Sequence, residues 1–212
     1  MLKKKVELKA IQIGGPAGGC IPTLLLDTPI DYATIPQTGA IMGSGGFVVM
    51  DEKTCMVDIA RYFLSFTVAE SCGKCVPCRV GLKRMLEVLE EITQGRGKEE
   101  HLLFLWELGT TIKESALCGL GNSAPNPVLT TIEYFIDEYR AHIQDGICPA
   151  HVCTPLIKFS VLEESCKKCG QCYKACPASA IEWRKKGPAR INRDKCIKCK
   201  ACIDACDFKA IV

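Results

Sequence analysis

The C-terminal part of the chain carries one cysteine pattern twice. Both copies read C-x2-C-x2-C-x3-C, first as Cys166, Cys169, Cys172 and Cys176 and, thirty residues later, as Cys196, Cys199, Cys202 and Cys206. Each copy is followed at the same offset by an Ala-Ile pair, Ala180-Ile181 and Ala210-Ile211. This spacing is typical of bacterial proteins that hold two iron–sulfur clusters. A segment this short has little apolar core, so we expect the clusters to contribute much of its folding free energy.

The two copies are expected to share their ligands. In two-cluster proteins of this type, the fourth cysteine of each copy binds the other cluster. This predicts one cluster on Cys166, Cys169, Cys172 and Cys206, and a second on Cys196, Cys199, Cys202 and Cys176. The second copy has Asp207 where the first has Pro177, a change that could retune a cluster but removes no ligand. Because four thiolates leave a cluster no open position for substrate, the pattern predicts electron transfer.

A third cysteine group lies in the middle of the chain, in the run E-S-C-G-K-C-V-P-C-R. It supplies three thiolates, Cys72, Cys75 and Cys78, whereas a [4Fe–4S] cluster needs four. Cys118 follows the third of four predicted helices, and in an up-and-down bundle this point returns to the level of the triplet. We therefore expect Cys118 to be the fourth ligand. The alternative is a loop with three free cysteines.

The pattern of apolar residues changes along the chain. Residues 1–50 contain an alternating run at 6–13 and an apolar run at 47–50, with glycine clusters between them, which predicts a small β-rich unit. The glycines at 43–46 could cradle a phosphate, but they match no named phosphate loop and favour a tight turn. The chain begins abruptly, which suggests the C-terminal piece of a longer protein.

Residues 51–147 predict four helices with apolar stripes that form a bundle. The expected helices run from Thr54, as N-cap, to Glu70, from Pro77 to Gly95, from Lys98 to Ser115, and from Asn126 to Gly146. His101 and His142 are expected on helix surfaces, and Cys20 is expected to be a buried thiol.

A further metal site is suggested by four residues outside the three groups. Cys148, His151 and Cys153 lie close together in the sequence, and Cys55, at the start of the first helix, should share that end of the bundle. Three cysteines and one histidine are a common ligand set for structural zinc. We therefore predict Zn(II) on Cys55, Cys148, His151 and Cys153. A turn stabilised by packing alone is the alternative.

Charge and hydropathy exclude several other classes. Residues 154–212 carry 13 Lys and Arg against 6 Asp and Glu, but the clusters are anionic and no aromatic residues alternate with the basic ones, which argues against nucleic-acid binding. The tight C-x2-C sets argue against disulfides. No run is long and apolar enough for a membrane span, and there is no signal peptide. A reducing, oxygen-poor cytoplasmic location is expected.

The central motif, together with the later L-C-G-L-G, resembles the cluster domain of the flavin-containing, NADH-oxidising subunit of respiratory complex I. The glycine runs at 14–19 and 42–46 resemble that family's small β-grasp domain. The tail with two more clusters is similar to the beta subunit of NAD-linked, electron-bifurcating iron-only hydrogenases, and related NAD-dependent formate dehydrogenases share it. The resemblance covers essentially the whole chain.

Together, the patterns and the resemblance imply an α+β chain of four parts. These are a partial SLBB-like β-grasp domain at 1–50, a helical bundle with one [4Fe–4S] cluster at 51–147, a zinc-binding hinge at 148–157 and a ferredoxin-like domain with two [4Fe–4S] clusters at 158–212. The family's FMN- and NADH-binding domain would precede Met1, so no complete catalytic site is expected in this chain.

The resemblance implies an electron relay between an FMN and NAD(H) site and partner subunits. The expected partners are a hydrogenase catalytic subunit and a thioredoxin-like [2Fe–2S] subunit. The same relay in a formate dehydrogenase or a respiratory complex is the alternative within redox chemistry. An iron–sulfur scaffold or a redox sensor is the alternative from another class.

Overall fold

A computed structural model describes residues 6–184 and 187–212. Residues 1–5 of the predicted β-rich unit and residues 185–186 of the C-terminal segment lie outside the described residues. The chain divides into two compact units, Met1–Leu156 and Ile157–Val212. The further divisions at residues 50 and 147 therefore lie within the first unit and stay predictions.

The first unit begins with a small antiparallel sheet. Its strands are β1 (Leu8–Ile13), β2 (Gly19–Pro22) and β3 (Phe47–Asp51), in the order β2-β1-β3. The apolar runs predicted as strands therefore form β1 and β3, whereas β2 follows a glycine cluster and was not predicted. Hydrogen bonds join the sheet region to a helix: the Cys20 amide donates to Thr130 Oγ1 at 3.0 Å, and the Tyr134 hydroxyl donates to the Thr38 carbonyl at 3.1 Å.

Six helices of the first unit follow the sheet. They are α1 (Met56–Ala69), α2 (Leu82–Thr93), α3 (Glu100–Ser115), α4 (Gly119–Ser123), α5 (Asn126–Tyr134) and α6 (Ile136–Arg140). The N-cap of α1 is Cys55, whose sulfur accepts from the Asp58 amide, and the prediction of Thr54 was wrong by one residue. The turn Pro77–Gly81 that leads into α2 is a widened π-helical turn.

The predicted fourth helix is interrupted. It breaks at Phe135, where φ and ψ are −131° and 34°, between α5 and α6. A π-helical segment, Ala141–Asp145, then extends α6 and ends at Gly146. His142 is the buried residue of this π-helical segment.

Four helices pack as a closed ring around the main core. Helix α1 contacts α2 and α5, and α3 also contacts α2 and α5. Apolar side chains fill the centre, among them Leu64, Leu82, Met85, Leu105 and Ile112, all fully buried. In residues 6–184 and 187–212, no helix combines the length and the apolar character needed to cross a bilayer.

The second unit repeats one small motif. It contains α7 (Gln171–Ala175), β4 (Ile181–Glu182), β5 (Arg190–Ile191) and α8 (Ala201–Asp204). Ile181 pairs with Ile191 across β4 and β5, and the repeat-related Ile211 pairs with Val161. Each half of the unit thus presents a short helix and a two-stranded pairing.

Candidate iron–sulfur and metal sites

Two cavities in the second unit each bring four cysteines together. One is lined by Cys166, Cys169, Cys172 and Cys206. The other is lined by Cys176, Cys196, Cys199 and Cys202. The structure therefore groups the thiols in the two crossed sets that the spacing predicts. Burial raises the pKa of Cys172, and the neighbouring Cys166, Cys169 and Cys206 raise it further, so these four groups interact electrostatically.

The backbone around the two cavities follows the thirty-residue repeat. Residues with positive φ recur at matched positions: Lys168 and Lys198 both at 57°, Gly170 at 77° and Lys200 at 64°, Ser179 at 50° and Lys209 at 49°. The fourth cysteine of each copy accepts an amide hydrogen bond at 3.3 Å, Cys176 from Ala180 and Cys206 from Ala210. The buried Ala-Ile pairs noted in the sequence thus supply both an N–H···S bond and the strand pairing.

The residue after the second cysteine of each copy has a left-handed backbone conformation, and in the first copy this residue is Gly170. A Cβ on Gly170 would lie 2.8 Å from the Trp183 ring, so a side chain is excluded by space as well as by φ. Lys200 holds the matched position in the second copy. Lys200 lines its cavity, as Lys167 and Lys168 line the other, so basic side chains accompany both sets of thiols.

The central triplet lies at the start of the helix that leads into α2. Cys78 is buried, Cys75 is half-buried and Cys72 is exposed. Backbone N–H groups of Leu117 and Cys78 donate to the Cys75 thiol and lower its pKa, with a smaller effect from the Arg79 charge. The bond from Leu117 ties the loop that carries Cys118 to the triplet.

A close helix contact keeps Cys118 near the triplet. Cys118 has extended backbone at the N-terminus of α4, and its side chain is exposed. A Cβ built on Gly121 of that helix would lie 2.5 Å from Cβ of Ala116 and 3.5 Å from Cβ of Cys78. The first distance is too short for any side chain, so only glycine allows α4 to lie this close to the end of α3, whereas the second is an ordinary van der Waals contact. The structure thus places the start of α4, which carries Cys118, beside Cys78 of the triplet.

A fourth cluster of ligand atoms is fully buried in the first unit. The sulfurs of Cys55, Cys148 and Cys153 and a ring nitrogen of His142 all lie within 4.8 Å of one another. Nε2 of His142 is 3.4 Å from the sulfurs of both Cys55 and Cys153, and those two sulfurs are 3.8 Å apart. The residues come from the start of α1, the π-helical segment and the turn after it.

These distances fit a tetrahedral zinc ion. Two thiolates bound at 2.3 Å with tetrahedral angles would lie about 3.8 Å apart. Nδ1 of His142 bonds the Glu138 carbonyl at 2.7 Å, which leaves Nε2 directed at the sulfurs, as in histidine ligands generally. Amides of Val152 and Cys153 point at the Cys148 sulfur at 3.4 and 3.5 Å. The donor set, its burial and its geometry therefore suit Zn(II).

The histidine of this group differs from the predicted one. His151 has φ of 52° and an exposed side chain, so it forms the turn instead of joining the sulfurs. His142 takes its place with 1% exposure, and the expectation of a surface residue was wrong. His101 is also buried, with its Nδ1 accepting from the Lys98 amide. A signal for His142 existed, since it follows the fully buried Tyr139 by three residues, on the same helix face.

Contacts within this group shift the pKa values of His142, Cys148 and Cys153. Hydrogen bonds from Cys153 and Cys55 lower the pKa of Cys148 far below the usual range, whereas the bond to Cys148 raises that of Cys153. Burial alone would lower the pKa of His142, but the Cys148 and Cys55 thiols outweigh it and raise the value to about 10. Cys20, outside this group, is the buried thiol expected, and burial raises its pKa to about 12.

Two family models match the chain. Residues 58–142 match the NADH-ubiquinone oxidoreductase-F iron–sulfur binding region, and residues 165–210 match the 4Fe–4S dicluster domain. Residues 58–142 belong to this iron–sulfur family of NADH oxidoreductases. The segment contains the cysteines of the central site and His142, and it ends before Cys148. The second match contains all eight cysteines of the two cavities.

Relatives of this family cover different shares of the chain. The NADP-reducing hydrogenase subunit HndC of Solidesulfovibrio fructosivorans is 49% identical over 180 residues, which are 85% of this chain and 37% of HndC. A subunit of the NADH-quinone oxidoreductase of Mycobacterium bovis is 37% identical over 63% of this chain and 31% of its own length. The chain thus spans about a third of the curated relatives it matches.

A solved structure supports the same relationship. The crystal structure of an NAD+-reducing [NiFe]-hydrogenase in the H2-reduced state matches with a TM-score of 0.59 and 31% identity. The match covers 65% of this chain and 24% of the hydrogenase chain. The hydrogenase is thus similar to this chain in both sequence and fold over the matched part.

Proposed function

We propose that the chain is the electron-transfer segment of an NAD(P)H-linked hydrogenase complex. It would pass electrons between an FMN and NAD(H) site outside this chain and clusters of partner subunits. The observation that carries the proposal is the grouping of eight cysteines into two sets of four, in a chain whose segments with the central and C-terminal cysteines are similar to iron–sulfur binding regions. We further propose that the small sheet is part of an SLBB-like β-grasp domain.

The residues of the three sites would hold [4Fe–4S] clusters. Such clusters, when bound, accept and donate single electrons at potentials set by their surroundings. The cysteine sulfurs serve as ligands, and N–H···S bonds to Cys75, Cys176 and Cys206 stabilise their charge. The lysines beside the two cavities of the second unit offset the negative charge of a thiolate-ligated cluster.

Each site also reaches the surface through at least one ligand. Cys72 and Cys118 are exposed at the central site, and Cys169 and Cys199 are exposed at the other two. An exposed ligand lets a site exchange electrons with a group outside the chain, which a relay requires. Cys172 and Cys202 are buried and anchor the same sites to the apolar core of the second unit.

A hydrogenase setting is favoured over a respiratory one by the extent of similarity. The match to HndC covers 180 residues, more than the 156 of the first unit, so it includes part of the two-cluster segment. We propose a hydrogenase catalytic subunit and a [2Fe–2S] subunit as partners, and electron bifurcation as the activity of the whole complex. The same relay in a respiratory complex is the second candidate, favoured by the 37% identity to the mycobacterial NADH-quinone oxidoreductase.

We also propose that Cys55, His142, Cys148 and Cys153 hold a structural Zn(II). Four protein ligands leave zinc no position for substrate, so its role would be structural. Because Cys55 lies at the start of α1 and the other three ligands follow α6, the ion would link these two parts of the first unit. Zinc requires the thiols to be deprotonated, so its binding would release the protons that the cysteines share in the free chain.

The deciding experiment is anaerobic iron, sulfide and zinc analysis of the purified chain, with EPR of the reduced form. We expect about twelve irons, twelve sulfides and one zinc per chain, with several interacting S = 1/2 signals. About eight irons would contradict the central site. Clusters that a low-potential donor reduces slowly or irreversibly would contradict the relay and favour a scaffold or a sensor.

A further inference from the structure

Glu138 on α6 contacts three parts of the first unit that meet at the four-ligand group. Its side chain is 13% exposed. Glu138 directly precedes the fully buried Tyr139, and its peptide carbonyl and both carboxylate oxygens make contacts beside the group. It is not itself one of the four ligand residues. Each of these contacts acts on a residue that the proposed zinc site needs.

The first contact orients the histidine. The Glu138 carbonyl accepts a hydrogen bond from Nδ1–H of His142 at 2.7 Å. This bond selects the tautomer in which Nε2 carries a lone pair, and it directs that nitrogen toward the cysteine sulfurs. His142 lies four residues after Glu138, in the π-helical segment that extends α6, so the carbonyl and the ring are one helical turn apart.

The second contact holds the start of α1. Oε2 of Glu138 accepts from the Met56 amide at 3.0 Å. The Met56 amide is one of the N–H groups at a helix start that have no partner within the helix. Met56 directly follows Cys55, so this bond fixes the backbone that carries a sulfur of the group. A carboxylate here also suits the positive end of the helix dipole.

The third contact connects this arrangement to the sheet. Oε1 of Glu138 pairs with Nζ of Lys9 on β1 at 2.5 Å, and Lys9 is itself only 17% exposed. The same Nζ donates to the Thr54 carbonyl at 2.5 Å. Lys9 and Glu138 therefore hold residues 54–56 from both sides of Cys55. Both charges are largely buried, so the loss of either partner leaves the other without compensation.

We propose that Glu138 is the positioning residue of the four-ligand site, orienting His142 through its carbonyl and placing Cys55 through a carboxylate that Lys9 holds. The inference rests on the proposed zinc site and adds to it the residues that set how firmly the metal is held. It also makes metal retention depend on β1, an element that contributes no ligand.

The test is the rate of zinc loss from the full chain in the presence of excess EDTA, measured by elemental analysis after desalting. Outer-shell partners of ligating histidines are typically worth about 10- to 100-fold in metal affinity. Glu138→Ala removes the carboxylate that holds the start of α1 but keeps the carbonyl that orients His142. We therefore expect it to release zinc about 10-fold faster than the wild type, at the lower end of that range. Glu138→Gln keeps an acceptor for the Met56 amide but loses the charge, so its release rate should be intermediate, like that of Lys9→Met.

A spectroscopic measurement separates positioning from general stability. The Co(II)-substituted Glu138→Ala chain should show shifted d–d absorption bands at a temperature where its circular dichroism equals that of the wild type. The matched control is Asp137→Asn, because Asp137 is the preceding residue on the same helix and is 93% exposed. We expect the control to match the wild type in both release rate and spectrum.

The outcomes distinguish this inference from the zinc proposal. A wild-type chain without bound zinc would overturn the zinc proposal, and this inference with it. A zinc-loaded wild type combined with wild-type release and spectra in Glu138→Ala would overturn the inference alone. If Glu138→Ala does not fold, the two conservative variants decide, and wild-type release rates in both Glu138→Gln and Lys9→Met would overturn it.

Discussion

At the scale of single residues, His142 and His151 show that closeness in the sequence does not decide which side chain joins the four-ligand group. His151 lies between two of the cysteines in the sequence, but its positive φ turns the chain so that amides point at the Cys148 sulfur and its ring lies in solvent. His142 is six residues before Cys148, yet it lies among the sulfurs. Proximity in sequence therefore selected the wrong ring.

This difference yields a paired prediction. His142→Ala removes a ligand of the proposed zinc site, so it should speed zinc loss to EDTA by at least the roughly 10- to 100-fold that outer-shell changes typically cost. His151→Ala should retain one zinc per chain, because its exposed ring contacts none of the sulfurs. Elemental analysis of both variants is the measurement, with iron content as the control for intact clusters. Zinc loss in His151→Ala and its retention in His142→Ala would refute the proposed ligand set.

At the scale of elements, the short helix α4 positions Cys118. It follows α3 so closely that a Cβ on Gly121 would overlap Cβ of Ala116. The methyl group of Ala116 has no alternative rotamer and is largely buried, so only a backbone shift can relieve the overlap. The approach of α4 to the end of α3 thus depends on the absence of a side chain at Gly121.

Gly121→Ala should therefore disrupt the central site. Overpacking of this kind typically costs about 1–3 kcal/mol, and here the strain would move the helix that carries Cys118. We expect iron to fall from about twelve to about eight per chain, since one [4Fe–4S] site is lost. Gly119→Ala on the same helix is the matched control, because no atom lies within 4 Å of its Cβ position. Equal iron contents in the two variants would argue against this role for α4.

At the scale of the whole molecule, two compact units hold their sites in different ways. The first unit gathers ligands from helix ends and turns around an extensive apolar core. The second has a small core, and its two repeats exchange their fourth cysteines so that neither half completes a site alone. Each proposed cluster therefore takes ligands from both repeats.

Alkylation of free thiols, followed by mass spectrometry, tests the exchange. Cys206→Ala should expose Cys166, Cys169 and Cys172 to the reagent while the other copy stays protected. Cys176→Ala should give the converse pattern and serves as its control. If Cys206→Ala instead exposed Cys196, Cys199 and Cys202, each repeat would hold its own cluster and the crossed arrangement would be wrong.

Much of this protein was determined by its sequence alone. Ligand spacing is local, so the C-x2-C sets predicted the cysteines of the proposed clusters without a fold. Strand alternation and helix stripes likewise depend on residues a few positions apart, and they predicted β1, β3 and the main helices. The topology of a bundle was sufficient to associate Cys118 with the triplet and Cys55 with Cys148 and Cys153.

Only the tertiary structure decided the features that depend on deviations from regular geometry. The helix that follows Phe135 passes into the wider turn Ala141–Asp145, and the His142 ring of that turn lies among the sulfurs, whereas His151 does not join them. The contacts of Glu138 with Met56 and Lys9 join residues 82 and 129 positions apart, and no local pattern encodes them. Such details follow from packing, in which the position of each side chain depends on all of its neighbours at once.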